Sequence, residues 1–168
     1  MKPKILFIDR DGTIIVEPKS DLQVDSLEKL EFLPNAITAL HKIAGEKNFL
    51  LVMVTNQDGL GTTSFPEDTF WPAQNKMLSI LEGEGITWKA IHIDKHFAHQ
   101  NTKTRKPGIG MLMEYLNGDY DIENSYVIGD RETDIFLAES LGCKAIFIAD
   151  DSDTEFQLPE ACVLVTDK

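Results

Sequence analysis

The sequence predicts an α/β fold: a three-layer α/β/α, Rossmann-like parallel sheet with no large cap domain. Three observations predict it. Short apolar runs alternate with helical patterns along the 168 residues. The runs are nearly continuous in apolar residues, as strands buried on both faces must be. Four of them lead into short polar segments rich in acids, and ligands of open parallel sheets bind beyond the carboxyl ends of the strands.

The first run, residues 4–8, ends at Asp9. The stretch 13–33 is polar and irregular and reads as a hairpin flap over the sheet edge. Pro34 suits a first helical position, and Ile37, Leu40, Ile43 and Ala44 then make one apolar face before Gly45. A second strand over 49–54 ends in Thr55-Asn56. A helix over about 66–82 is stopped by Gly83 and Gly85. Residues 90–93 make a weaker third run. A helix following Pro107 carries Ile109, Leu112, Met113 and Leu116 and stops at Gly118. The fourth strand, 125–128, ends in Gly129-Asp130, and a helix with Ile135, Leu137, Ala138 and Leu141 stops at Gly142. Strand 144–148 follows, an acidic and solvated segment spans 150–155, and 162–165 closes the sheet as an edge strand. The length fits one domain over 1–168.

Composition excludes several function classes. Lys plus Arg number 16 against 28 Asp plus Glu, a net charge of −12. A chain this acidic is a poor binder of nucleic acid or of an anionic membrane. The longest strongly apolar run, 49–54, is far short of a membrane span. Asp9 interrupts the first apolar run too early for a signal-peptide core, so a cytoplasmic location is the default expectation. Cys143 and Cys162 make neither a disulfide framework nor a CxxC site. Gly108-Ile109-Gly110 lacks the third glycine of a dinucleotide fingerprint. His41, His92, Trp71, Trp88, Met77, Met111 and Met113 read as surface or packing residues. The three arginines, Arg10, Arg105 and Arg131, all lie in the polar segments near strand ends. On an acidic protein such local positive charge is what can handle an anion.

The strand-end residues combine into one chemistry. Asp9 and Asp130, on neighbouring strand tips, can supply the one or two carboxylates that Mg²⁺ takes, with the Asp11 backbone carbonyl as a third ligand. Gly12 lets the chain turn so that Asp9 and Asp11 face one pocket. Asp9 is then the nucleophile toward a phosphate ester. Asp11, kept protonated by a neighbouring carboxylate, is the general acid and then the general base. Thr55 donates to a phosphoryl oxygen, and Lys106 and the metal neutralise the transferring group. Asp134 supports the metal from behind or, as an acid in the first turn of a helix, has a structural role.

Asp9-x-Asp11-Gly12-Thr13, Thr55-Asn56, Lys106-Pro107 and Gly129-Asp130-x-x-x-Asp134 resemble the four motifs of the haloacid-dehalogenase-like phosphohydrolases, in order, over about residues 4–148. More closely, Phe7 to Thr13, Thr55 to Gly61 and Tyr126 to Arg131 resemble the histidinol-phosphate phosphatases. The resemblance implies a Mg²⁺-dependent phosphatase of histidine biosynthesis that acts on a small-molecule phosphate ester. It also implies that the chain either stands alone or is one domain of a protein fused to, or associated with, an imidazoleglycerol-phosphate dehydratase. No dehydratase sequence lies within these residues.

The resemblance also implies a zinc loop with one histidine and three cysteines. Here the loop, about 94–104, keeps His96 but has Asp94, Thr102 and Thr104 at the cysteine positions. Zinc is therefore not expected. Asp94, His96 and His99 are the alternative N/O ligands to a metal-free loop anchored by Phe97.

Asp11 and Thr55 are 44 positions apart, and Thr55 and Lys106 51 apart, too few for a separate cap. The expected substrate contacts are Asn56 and Arg105, with Glu17 for a cationic amine and Gln23 beside it. The rival substrate is a heptose bisphosphate, and a polynucleotide 3′-phosphatase is disfavoured by the charge. A phospho-accepting receiver domain is the rival of a different class.

Overall fold

A computed structural model describes residues 2–46, 48–148 and 162–165; the acidic segment expected to be solvated, 150–155, lies outside them. Among the described residues six strands form one sheet: β1 (Lys4–Ile8), β2 (Phe49–Asn56), β3 (Ala90–Asp94), β4 (Tyr126–Gly129), β5 (Lys144–Ile148) and β6 (Cys162–Val165). Their order is β3-β2-β1-β4-β5-β6 and every pairing is parallel. Three α-helices accompany them among the described residues: α1 (Ala36–Gly45), α2 (Glu67–Gly83) and α3 (Glu132–Leu141).

Alternation along each strand feeds two cores. Ile5, Phe7, Val52, Val127 and Phe147 pack with Ile135, Leu137 and Leu141 of α3. Leu6, Ile8, Leu51 and Met53 pack with Leu40 of α1 and with Ala73, Met77 and Leu81 of α2. The three layers expected from the sequence are therefore present. No helix among the described residues is long and apolar enough to cross a membrane.

Three local expectations need correction. The segment after Pro107 is a 3₁₀ helix, Gly110–Leu116, rather than an α-helix. Ile109, Leu112, Met113 and Leu116 fit a 3.6-residue period, but Leu112 and Tyr115 also fit a period of three, and these two are the buried pair. Met113 is 57% exposed. The Gly110 N–H is bonded to the Lys103 carbonyl at 2.7 Å, which ties the start of this helix to the preceding loop.

Pro34 lies outside α1, whose N-cap is Asn35 in the left-handed region. The flap, finally, pairs back on itself as the expected hairpin, by Val16 N–H to Glu31 O at 2.8 Å and Leu33 N–H to Ile14 O at 3.0 Å, but it leaves β1, an interior strand, rather than an edge strand. Ile14, Ile15 and Val24 are buried in the α1/α2 core.

The strand order positions the site. After β1 the chain builds outward through β2 and β3; it then returns to β4 on the other side of β1 and builds outward through β5 and β6. The segments leaving β1 and β4 diverge at this switch point, and a crevice opens there. Asp9 and Asp130 stand at its two sides.

Candidate active site

Asp9 continues β1 by one more ladder bond, its N–H to Ile128 O at 2.9 Å. Gly12 then turns the chain with φ +74°, and a Cβ at this position would overlap the Asp130 carboxylate. The glycine is therefore required twice, for its backbone angle and for the space it leaves. Asp9, Asp130 and Asp134 bring one carboxylate oxygen each within 4.8 Å of one another. Lys106 reaches in from the loop after β3, its Nζ 2.6 Å from Asp9 Oδ1 and 2.7 Å from Asp134 Oδ1. Asp134 has both of its expected roles in reach: its Oδ2 also accepts the Arg131 N–H at the start of α3, at 3.2 Å.

Burial dominates the ionisation of this cluster. It pushes the Asp9 carboxyl up to about 8, against the pull of Lys106 and with Asp134, Asp11 and Asp130 adding to it. Burial alone would lower Lys106, but Asp134 and Asp9 outweigh it and raise it further into the charged range. One cation thus faces several acids in a low-dielectric cleft. Three clustered carboxylates around a glycine-made space fit a hard divalent cation.

A thermal shift tests this fit. At about 100 times its Kd, Mg²⁺ contributes about 2.7 kcal/mol, which raises Tm by about 5–10 °C in a chain of this size. Proton and cation compete for Asp9, so the response grows as pH rises toward about 8 and fades below it. A flat Mg²⁺ titration at pH 8 would remove the metal assignment.

Asp11 shares the pocket but not the three-carboxylate cluster. The Asp9 carboxylate is the expected charged neighbour, but the group that hydrogen-bonds Asp11 is Arg10. Arg10 Nε lies 2.9 Å from Asp11 Oδ2, and Nη2 lies 2.8 Å from Oδ1. Gln57 Nε2 donates to Asp11 Oδ2 at 2.6 Å and to Thr55 Oγ1 at 2.8 Å. Arg10 is 1% exposed, so it cannot itself meet a substrate, contrary to the expectation from the arginine pattern. Thr55 is buried behind Asp11, its hydroxyl 3.5 Å from Asp11 Oδ2, and it does not line the pocket.

The pocket is lined by Asp9, Asp11, Glu17, Asn56, Arg105, Lys106, Arg131 and Thr133. Asn56 brackets the lysine loop: its Oδ1 accepts the Lys106 N–H at 3.0 Å and its Nδ2 donates to the Lys106 carbonyl at 3.3 Å. Arg105 pairs with Asp58 at 2.8 Å. Glu17 is held by Arg131 Nη2, which is 2.6 Å from both carboxylate oxygens. Burial pushes the Glu17 carboxyl up despite this arginine. Gln23 does not line the pocket; its backbone instead serves the Asp21–Lys29 turn.

At the end of β3, Asp94 is committed to its own neighbours. Its Oδ1 accepts the His96 N–H at 2.9 Å, and its Oδ2 lies 3.1 Å from His96 Nδ1. Burial works against the Asp94 carboxylate, but hydrogen bonds from Thr104 and His96 outweigh it and hold its pKa below the usual range. The Phe97 ring is the expected anchor: it fills the space above Gly59 and stacks on His99 at 5.6 Å.

Thr133, Gln57 and Gln74 were missed as site residues, and Arg131 was marked only as local positive charge without its partner Glu17. Gln57 is two positions from Thr55, so strand periodicity puts it on the same face. Gln74 sits on the buried stripe of α2 with Phe70, Met77 and Leu81, and a lone amide on an apolar stripe signals a buried partner.

Residues 4–162 match the family described as polynucleotide kinase 3 phosphatase. The histidine biosynthesis bifunctional protein HisB of Spirosoma linguale is 64% identical over 143 residues, covering 85% of this chain and 37% of that protein. HisB of Bacteroides fragilis is 54% identical over 169 residues, covering 99% of this chain and 45% of that protein. The chain thus spans less than half the length of either relative. A D,D-heptose 1,7-bisphosphate phosphatase from B. bronchiseptica, solved with magnesium and phosphate, superposes with a TM-score of 0.82 at 27% identity, over 98% of this chain and 93% of the other.

Proposed function

Because the chain belongs to the polynucleotide kinase 3 phosphatase family, with the fold of the haloacid-dehalogenase-like phosphatases, we propose that it hydrolyses a phosphomonoester through an aspartyl-phosphate on Asp9. The substrate in this reading is histidinol phosphate, released as histidinol and phosphate. The observation that carries the chemistry is Lys106 Nζ held between Asp9 at 2.6 Å and Asp134 at 2.7 Å beside the Asp130 carboxylate. What supports the substrate is the high identity to proteins named for histidine biosynthesis, over most of this chain.

The Asp9 carboxylate attacks phosphorus as the ester P–O bond breaks, and Asp11 gives its proton to the leaving alkoxide. Asp11 then takes a proton from water, whose oxygen attacks the acyl phosphate; phosphate leaves and Asp9 is regenerated. Lys106 carries the positive charge that the phosphoryl oxygens meet. Asp9, Asp130 and the Asp11 carbonyl would hold Mg²⁺, with Asp134 behind them, and the ion would add charge neutralisation at the transferring group. Asn56 keeps the Lys106 loop in place, and Arg105 faces the pocket as a second cation. Glu17 is the carboxylate for the substrate amine, shared with Arg131. Thr55 acts from behind Asp11. The relatives named HisB are named as bifunctional, and in this reading the chain either stands alone or is fused to, or associated with, a dehydratase domain.

The heptose bisphosphate reading has its own support in the solved relative of that name. Phosphate release from histidinol phosphate, heptose bisphosphate, an aryl phosphate and a 3′-phosphorylated oligonucleotide separates the readings. Histidinol phosphate is expected to lead in kcat/KM by on the order of 10–100-fold. Preference for the bisphosphate would transfer the substrate to the second reading. A lasting acyl phosphate without phosphate release would make the protein a switch rather than an enzyme.

A further inference from the structure

We propose that Gln74, in the interior of α2, is a positioning residue for the Asp11 carboxylate and acts through the buried guanidinium of Arg10. The inference rests on the reading of Asp11 as the acid–base group.

Every nitrogen of the Arg10 fork has a partner. Nε and Nη2 meet the two oxygens of Asp11, and Nη2 also meets Gln57 Oε1 at 3.1 Å. Nη1 donates to Gln74 Oε1 at 2.8 Å. The Phe70 ring, one turn earlier on α2, lies 5.0 Å from Arg10 Cζ. A planar guanidinium held on one side by an amide and on its face by a ring has little freedom to rotate. The orientation of Asp11 is thereby set from a helix whose residues do not line the pocket.

The arrangement treats the two Asp11 oxygens differently. Oδ2 accepts from Arg10 Nε and Gln57 Nε2, with Thr55 Oγ1 at 3.5 Å. Oδ1 accepts from Arg10 Nη2. Oδ1 is therefore the less occupied oxygen, and the one left to face the leaving group. Without the Gln74 acceptor, Nη1 would be buried with an unsatisfied N–H, and the fork would shift to satisfy it. Asp11 would move with it.

Gln74→Met removes the acceptor at similar volume, and Gln74→Glu keeps one. Two substrates are compared: the best alkyl phosphate in steady state, and p-nitrophenyl phosphate in the single-turnover burst of phosphoenzyme formation. The aryl leaving group departs without a proton, so its burst does not need a placed acid.

Gln74→Met is expected to lower kcat on the alkyl ester by about 10–100-fold with KM little changed, and to leave the aryl burst near that of the parent. Asp11→Asn sets the benchmark for this pattern, and Gln74→Glu should recover most of kcat. Equal losses on both substrates, or none on either, would overturn the proposal. So would a Gln74→Glu that folds, by circular dichroism and Tm, yet fails to recover. A parent protein that turns over neither ester would instead overturn the reading of Asp11 on which the proposal stands.

Discussion

Asp9→Asn is expected to abolish turnover while leaving the protein as stable as the parent. The amide cannot accept the phosphoryl group, so steady-state phosphate release should fall on the order of 10⁴-fold or more. Stability behaves differently because of where Asp9 sits. Burial holds its carboxyl at about 8, above its unfolded value near 3.8. A raised carboxyl contributes stability that is fully present below the unfolded value, declines as pH rises and is gone above about 8. A neutral amide does not carry this dependence. In EDTA the variant should therefore gain on the parent as pH rises from about 4 to 8, with Tm at pH 8 equal or higher. Scanning calorimetry and a phosphate assay on the same preparations check both halves. Near-normal turnover would assign the nucleophile elsewhere, and a fall in Tm that worsens with pH would contradict the burial argument.

Lys106→Met is expected to damage both activity and fold. The ammonium is the shared partner of Asp9 and Asp134, and without it two buried acids face each other. Removing one member of a buried ionic cluster costs about 3–5 kcal/mol. In a chain of this length that lowers Tm by roughly 6–20 °C. The pull of Lys106 that offsets the burial of Asp9 is then gone, so the Asp9 carboxyl binds its proton more tightly folded than unfolded; the variant is most stable at low pH and loses stability as pH rises. The Tm deficit should accordingly be smaller at pH 5 than at pH 8, and Mg²⁺ should recover part of it. Turnover should fall about 10²–10³-fold, the usual cost of a lost charge at a transferring group. An unchanged Tm at pH 8 would show that the lysine does not neutralise the pair.

The strands were legible because strands buried on both faces are continuous in apolar residues, and β1, β2 and β5 are such runs. The 110–116 segment was misread because its apolar residues satisfy two helical periods, and only packing chose which side chains to bury. The place of the flap was hidden because strand order is not written in chain order. Among the site residues, Asp9, Asp130 and Lys106 were legible because each follows a recognisable strand or precedes a proline. The role of Asp134 was legible only as two alternatives, and the structure places it where both can hold.

The sequence by itself determined the parallel sheet and the candidate groups it carries: apolar runs that lead into acids, a hydroxyl and a lysine at their carboxyl ends. The tertiary structure alone decided who faces whom. It set Gln74 against Arg10 and Arg131 against Glu17, pairs 64 and 114 positions apart. The physical reason is that a side chain's charge and direction depend on the water removed and the partners supplied around it, and both come from chain segments distant in sequence.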